Sequence, residues 1–103
     1  MTTYRIELFD TALSDLENIK AYYMHEASLS VAVSVLNRIR ARVDSLADMP
    51  KAHSFYREDK RFRRLVADKY LVFYDINEET HTVEIHHVWH GMRNIEKLLE
   101  EKR

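Results

Sequence analysis

The sequence predicts an α+β domain in which an N-terminal pair of helices packs on a mainly antiparallel four-stranded sheet, followed by a short C-terminal helix. The predicted element order is β-α-α-β-β-β-α. Apolar residues recur at helical spacing through residues 11–48, and the pattern changes to strand spacing from residue 62. Only one Gly and one Pro interrupt the 103 residues, so long elements and short connections are expected. This length is typical of a single domain, residues 1–103.

The first strand is predicted at residues 4–9, where apolar and charged side chains alternate. This alternation indicates one buried face. The first helix is predicted at residues 11–26 from the spacing of its leucines and aromatic residues. Asp10 or Thr11 is expected to be its N-cap, because short polar side chains accept a hydrogen bond from the first turn.

The second helix is predicted from Val31 to Asp48, because a continuous apolar stripe runs along this segment. Ser28 and Ser30 are candidates for its N-cap. The helix is expected to stop at Met49, since the residue before a proline is disfavoured in the α region. The short link between the helices predicts an antiparallel hairpin whose stripe covers one face of the sheet.

Residues 50–60 are predicted to be irregular, and strands are predicted at residues 62–66, 70–76 and 82–89. The middle strand is almost wholly apolar and aromatic, which is typical of a central strand covered on both faces. Short polar links join these strands, so neighbours should pair antiparallel. Gly91 is expected to end the last strand before the C-terminal helix.

The composition narrows the functional classes. The absence of Cys excludes disulfides, thiolate catalysis and cysteine-ligated zinc. No apolar run approaches the ~18 residues of a membrane span, and no signal peptide is recognisable, so a cytoplasmic protein without a membrane partner is expected. The net charge of −1 gives no overall attraction to nucleic acid. Residues 57–64 nevertheless hold five basic and two acidic side chains, which form either a phosphate-binding patch or a solvated strand edge.

Several short segments occur in an order and spacing that indicate a known family. They are Ala12, Asp15-Leu16, Ile19 and Tyr22 or Tyr23 after the first strand, Leu46 with Pro50 beyond it, Arg64 leading into residues 70–76, and His90-Gly91-Met92-Arg93 after the last strand. Together these segments resemble the toxins of the RelE/ParE superfamily, the plasmid stabilisation family of type II toxin–antitoxin systems, along nearly the full chain.

The resemblance implies a growth-inhibiting toxin that a cognate antitoxin holds inactive. The toxin is expected to form a hetero-oligomer with this antitoxin or a homodimer. A RelE-like toxin cleaves mRNA on the ribosome without metal or cofactor. A ParE-like toxin inhibits DNA gyrase, and a degenerate toxin would only bind its antitoxin. The RelE-like hypothesis is slightly favoured, because Arg61, Arg63, Arg64, His90 and Arg93 offer groups for phosphate chemistry.

In a RelE-like reaction, the ribose 2′-hydroxyl attacks the adjacent phosphate, so the protein supplies a base, an acid and cations. Arg64 and Arg93 are the candidate cations, since the planar guanidinium can hold two phosphate oxygens. His90 is the candidate acid or base, and Tyr70 could donate a proton or stack on a nucleobase. The structural alternatives are an ion pair or cap for Arg93, a surface position for Arg64, packing for His90 and the core for Tyr70.

Further basic side chains are candidates for phosphate or RNA binding: Lys60, Arg61, Arg63 and Lys69. Two features depart from RelE-like nucleases. The chain is not strongly basic, and residues 94–103 lack the Tyr or His that such toxins often carry there. Both departures weaken the nuclease hypothesis, whereas inhibition of gyrase by binding requires neither feature.

The histidines His86, His87 and His90 raise the question of a metal site. Regular strand alternation would turn His87 away from the other two and separate His86 from His90 by roughly 13 Å. A zinc ion needs its ligands at about 2 Å from itself. The sequence therefore predicts no metal site.

Overall fold

The computed structural model describes residues 3–101, and in them three α-helices and a five-stranded sheet. The elements in chain order are β1 (Arg5–Leu8), α1 (Asp10–Glu26), α2 (Leu29–Asp44), β2 (Phe55–Tyr56), β3 (Asp59–Ala67), β4 (Tyr70–Asn77), β5 (Thr82–His90) and α3 (Ile95–Glu101), with 3-10 turns at Ser45–Ala47 and Pro50–Ala52. None of these helices is long and apolar enough to cross a membrane.

The strands lie in the order β1-β5-β4-β3-β2. β1 pairs parallel with β5, and all other neighbours pair antiparallel. The predicted α+β class, with a helical hairpin, a mainly antiparallel sheet and a C-terminal helix, is confirmed. The sheet has one strand more than the four predicted. This strand is β2, which lies within residues 50–60, predicted to be irregular, and pairs with β3.

The helices α1 and α2 cover one side of the sheet, which we call the hairpin face. Its core comprises Ala12, Ile19, Val35, Ile39, Val43 and Leu46 against Leu65, Val72, Tyr74, Val83, Ile85 and Val88. Burial of each Val, Leu or Ile side chain stabilises the fold by about 1.5–3 kcal/mol. This packing fixes the hairpin on the sheet.

The opposite side of the sheet, the open face, is partly covered by α3. Its smaller cluster contains Tyr56, Phe62, Phe73, Trp89, Ile95 and Leu99. β4 contributes to both clusters, since Val72 and Tyr74 lie in the hairpin core and Phe73 lies in the open-face cluster. The prediction of a central strand covered on both faces is therefore confirmed.

Three helix boundaries differ from the predictions, and one of them is the start of α2, which lies at Leu29 rather than at Val31. α1 begins at Asp10, and Phe9 is its N-cap without a side-chain hydrogen bond. The expectation that Asp10 or Thr11 caps this helix was wrong, because the Thr11 hydroxyl instead donates to a strand carbonyl of β5 at 2.6 Å. α2 ends at Asp44 and tightens into a 3-10 turn, so the predicted end at Asp48 was also wrong.

A bulge interrupts β5. Phe73 pairs with His87 and Tyr74 pairs with Ile85, so His86 is an extra residue in β5. An inserted residue breaks the alternation of side chains between the two faces of a sheet. Every position of β5 after the bulge is therefore shifted relative to simple alternation.

The bulge places His86 and His87 together on the open face. Their ring centroids lie 5.0 and 6.0 Å from that of Phe62. His90 lies instead on the hairpin face, where its ring meets Tyr70 edge-on at 5.3 Å. The expectation that His86 shares a face with His90 and is opposite to His87 was wrong, because it assumed an unbroken strand. His87 does face away from His90, as expected.

Candidate functional site

A polar cleft of about 420 Å³ opens where β3, the end of β5 and α3 meet. Three of its lining residues are arginines, Arg57, Arg64 and Arg93, and we call it the arginine cleft. Its other lining residues are Tyr56, Leu71, Gly91, Asn94, Ile95 and Glu96. The fold thus brings together the two arginines proposed as phosphate-binding cations, and adds Arg57, which the sequence analysis did not single out.

The ring of Tyr56 orders two of the guanidinium groups. The guanidinium carbon of Arg64 lies 5.7 Å from the ring centroid, and that of Arg57 lies 5.3 Å from it. The Arg64 backbone N–H also donates to the Ser54 carbonyl at 3.0 Å. Such cation–π contacts contribute about 0.5–1 kcal/mol at exposed sites. They favour positions of the Arg57 and Arg64 guanidinium groups beside the Tyr56 ring.

The cleft arginines differ in their charge partners. Arg57 forms an ion pair with Glu96 of α3. Among residues 3–101, no carboxylate forms an ion pair with Arg64 or Arg93. Guanidinium groups hold phosphate or carboxylate oxygens through paired hydrogen bonds, so the cleft has the chemistry that binding of an anion requires.

Arg93 follows a tight turn after β5. The Gly91 N–H donates to the Lys69 carbonyl at 2.9 Å, and the Arg93 N–H donates to the His90 carbonyl at 3.1 Å. Asn94 then begins the last helix, since its side chain accepts a hydrogen bond from the backbone of the first turn at 3.2 Å. The turn is thus fixed by backbone hydrogen bonds on both sides of Arg93.

Neither His90 nor Tyr70 lines the arginine cleft. His90 Nδ1 accepts a hydrogen bond from the Met92 N–H at 3.1 Å. The Tyr70 hydroxyl donates to the Tyr23 hydroxyl at 3.3 Å, and burial is the main cause of the raised pKa of Tyr70. These contacts give both side chains structural roles on the hairpin face.

The other basic candidates lie apart from the cleft. Lys60, Arg61 and Arg63 line a separate hollow of about 350 Å³. Arg61 donates to both carboxylate oxygens of Asp59, at 3.0 and 2.7 Å, and these hydrogen bonds raise the pKa of the guanidinium. Lys69 is an exposed turn residue. The structure therefore does not unite these side chains with Arg64 and Arg93.

A second group of titratable side chains lies on the open face, beside the bulge. Asp75, Glu84 and His86 place their ligand-type atoms within 4.8 Å of one another. His86 Nε2 lies 3.0 Å from Asp75 Oδ1. Burial raises the pKa of Glu84, and the nearby Asp75 adds to the effect. These groups hydrogen-bond mainly among themselves, and only the bulge brings His86 into the cluster.

An apolar groove of about 760 Å³ runs between α1, α2 and β1, and we call it the hairpin groove. Its apolar lining comprises Ile6, Leu8, Leu13, Leu16, Val33, Leu36, Ile39, Val43 and Val88. Charged residues border it, namely Glu17, Lys20, Arg40 and Asp44. Some apolar residues of α1 and α2 are not buried in the core, among them the partly exposed Leu13 and Val33. In the sequence, such residues are what indicates this groove.

Comparison with known proteins agrees with this architecture. The family model described as "ParE toxin of type II toxin-antitoxin system, parDE" matches residues 6–95. A solved structure of a chromosomal ParDE system from P. aeruginosa superposes with a TM-score of 0.75 at 14% identity, covering 85% of this chain and 96% of that one.

A second solved structure is the RelBE2 toxin–antitoxin complex from Mycobacterium tuberculosis, with a TM-score of 0.57 at 22% identity. The match covers 85% of this chain and 98% of that one. At these identities, both structures are evidence of a shared fold. No curated protein matches the chain by sequence.

Proposed function

The chain belongs to the ParE toxin family of type II toxin–antitoxin systems, and from this premise we propose that it stops growth in the cytoplasm by binding and inhibiting DNA gyrase. The arginine cleft carries the proposal. It offers the guanidinium groups of Arg64 and Arg93, which form no ion pair within residues 3–101, while His90 and Tyr70, the candidates for proton transfer, lie on the other face of the sheet. Such a cleft is better suited to holding an acidic group of a target than to breaking a bond.

The cleft is suited to a tight contact because it holds Arg64 and Arg93 together, and the guanidinium carbon of Arg64 lies 5.7 Å from the centroid of the Tyr56 ring. A hydrogen bond to a charged group contributes about 1.5–3 kcal/mol, and arginine is enriched among residues that dominate protein interfaces. Gly91 adds access to the cleft. A Cβ built there meets no atom closer than the Lys69 carbonyl oxygen at 3.5 Å, so the fold does not require glycine at this position.

Supercoiling assays with purified gyrase test the proposal. We expect the wild-type protein to inhibit supercoiling, and Arg64→Ala and Arg93→Ala to weaken inhibition by roughly tenfold or more, because each removes a charge-assisted contact. Arg38→Ala is the matched control, since Arg38 pairs with Asp68 away from the cleft. Full supercoiling activity in the presence of excess wild-type toxin would contradict the proposal.

The alternative is RelE-like cleavage of mRNA on the ribosome, and the same two arginines support it as ligands for the scissile phosphate. The proton-transfer groups would then have to come from the cleft itself, where Glu96 and Tyr56 are the candidates. Primer extension on a translated reporter mRNA distinguishes the two functions. Cuts at the ribosomal A site that disappear in Arg64→Ala or Arg93→Ala would establish cleavage.

We further propose that the antitoxin packs a tail segment into the hairpin groove. The groove is apolar at its floor and bordered by two acidic and two basic side chains, which suits an amphipathic helix with charges of both signs. The groove is separate from the arginine cleft. A degenerate toxin whose cleft no longer acts on a target could therefore still bind its antitoxin through the groove. A protein that binds its antitoxin but inhibits neither growth nor gyrase would fit that third hypothesis.

A further inference from the structure

The most exposed large apolar side chain of residues 3–101 is Met92, which is 87% exposed. It stands between Gly91 and Arg93, both of which line the cleft. Exposure of so large an apolar group to water lowers the solubility of the protein and does not stabilise its fold. Methionine and arginine are both enriched at protein interfaces relative to the rest of the protein surface.

The turn that carries Met92 is held by its own backbone. Three consecutive N–H groups, those of Gly91, Met92 and Arg93, donate to Lys69 O, His90 Nδ1 and His90 O at 2.9, 3.1 and 3.1 Å. The imidazole that accepts from Met92 is itself packed edge-on against Tyr70. The backbone under Met92 is therefore ordered before binding, which lowers the entropic cost of using its side chain as a contact.

From this arrangement we infer that Met92 is the apolar anchor of the toxin–target interface, and that the target surface is a protein with an apolar pocket beside an acidic side chain. The inference rests on the proposed function and deepens it. The flexible thioether adapts to pockets of irregular shape. Arg64 and Arg93 meet the acidic group while Met92 fills the pocket.

The charge around the turn favours a protein over a nucleic acid. α3, which borders the cleft, carries Glu96, Glu100 and Glu101 against a single Lys97. An extended polyphosphate chain passing the cleft would lie close to the Glu96 carboxylate in its lining, whereas a single acidic side chain needs only the guanidinium groups of Arg64 and Arg93. The net charge of −1 gives no compensating attraction for a polyanion.

The inference is tested with Met92→Ala and Met92→Leu in the full-length protein, assayed for growth inhibition on expression and for inhibition of purified gyrase. Truncation of an anchor residue weakens an interface by about tenfold or more, so Met92→Ala should lose that much potency while Met92→Leu retains most of it. Met49→Ala is the matched control, because Met49 is 66% exposed and lies outside the cleft. Thermal unfolding should show all three variants folded as the wild type.

The outcomes separate the inference from the proposed function. If the wild type inhibits gyrase and Met92→Ala is equally potent, Met92 is not an anchor, while the gyrase proposal stands. If the wild type stops growth without inhibiting gyrase, gyrase is not the target. The growth assay of the Met92 variants then still tests whether Met92 is an anchor of the interface. If Met92→Ala bound a DNA duplex more weakly than the wild type in the absence of gyrase, the inference of a protein partner would be overturned. A wild type that inhibits neither growth nor gyrase overturns both proposals.

Discussion

Asp15 on α1 accepts a hydrogen bond from the backbone N–H of Val88 on β5, at 2.9 Å. β1 pairs with β5 only as far as Ile85, so the following part of β5 has no strand neighbour on that side. Side chains of α1 take the place of the missing strand, because Thr11 donates to the His86 carbonyl at 2.6 Å and Asp15 accepts from Val88. The helical hairpin is thereby tied to the strand that leads into the arginine cleft.

Asp15→Ala is expected to destabilise the protein by about 1–3 kcal/mol, because it leaves the N–H of Val88, a residue only 2% exposed, without its acceptor. Urea denaturation measures the change. Glu17→Ala, an exposed acidic position on the same helix, is the control and should stay within about 0.5 kcal/mol of the wild type. Equal free energies of unfolding for the two variants would show that this hydrogen bond does not stabilise the fold.

Tyr74 should make the protein sensitive to alkali. Burial raises the pKa of its hydroxyl from 10.0 to about 12, and the hydroxyl donates to the Pro50 carbonyl at 2.6 Å. The unfolded chain ionises this group first, so its contribution to stability is complete below pH 10 and is lost as the pH rises toward 12.

The effect is measured as the free energy of unfolding between pH 9 and 12, the window set by that pKa shift. The contribution is on the order of 3 kcal/mol, because the pKa shifts by about two units and each unit corresponds to 1.36 kcal/mol. Tyr74→Phe should flatten this part of the profile and lose about 1 kcal/mol at neutral pH with the hydrogen bond. An unchanged alkaline slope in Tyr74→Phe would show that other groups control it.

His90→Asn separates a structural role from a catalytic one. Asparagine can offer Oδ1 to the Met92 N–H where His90 offers Nδ1, but it cannot exchange protons near neutral pH. We therefore expect His90→Asn to keep most growth inhibition, and His90→Ala to lose more through disorder of the turn. Loss of activity in His90→Asn, with a wild-type melting temperature, would restore His90 as an acid or base.

Leu13→Asp is expected to prevent neutralisation by the antitoxin encoded beside the toxin, because it puts a charge into the apolar hairpin groove. Met24→Asp is the matched control, since Met24 is 47% exposed on the same helix, Leu13 is 45% exposed, and only Leu13 lines the groove. Co-purification of the tagged antitoxin and rescue of growth are the two measurements. Normal rescue with Leu13→Asp would place the antitoxin elsewhere.

The periodicity of the sequence was sufficient for the class and order of the elements. Helical spacing located α1 and α2, and the apolar run of β4 indicated that this strand is covered on both faces. The Ser28 side chain caps α2, accepting from Val31 at 3.1 Å, as its position before the stripe had suggested. These features depend on residues close in sequence, where side-chain spacing alone decides which face is apolar.

Within the site, the sequence by itself determined that Arg64 and Arg93 are the candidate cations and that a turn follows β5. Only the tertiary structure decided which side chains share a cleft: Arg57 joins them across Tyr56, and His90 turns to the other face. The physical reason is the bulge at His86, which depends on how β5 pairs with β4 and leaves no trace in the local pattern. One inserted residue exchanges the faces of every later side chain on the strand, so alternation read along the sequence could not place His90.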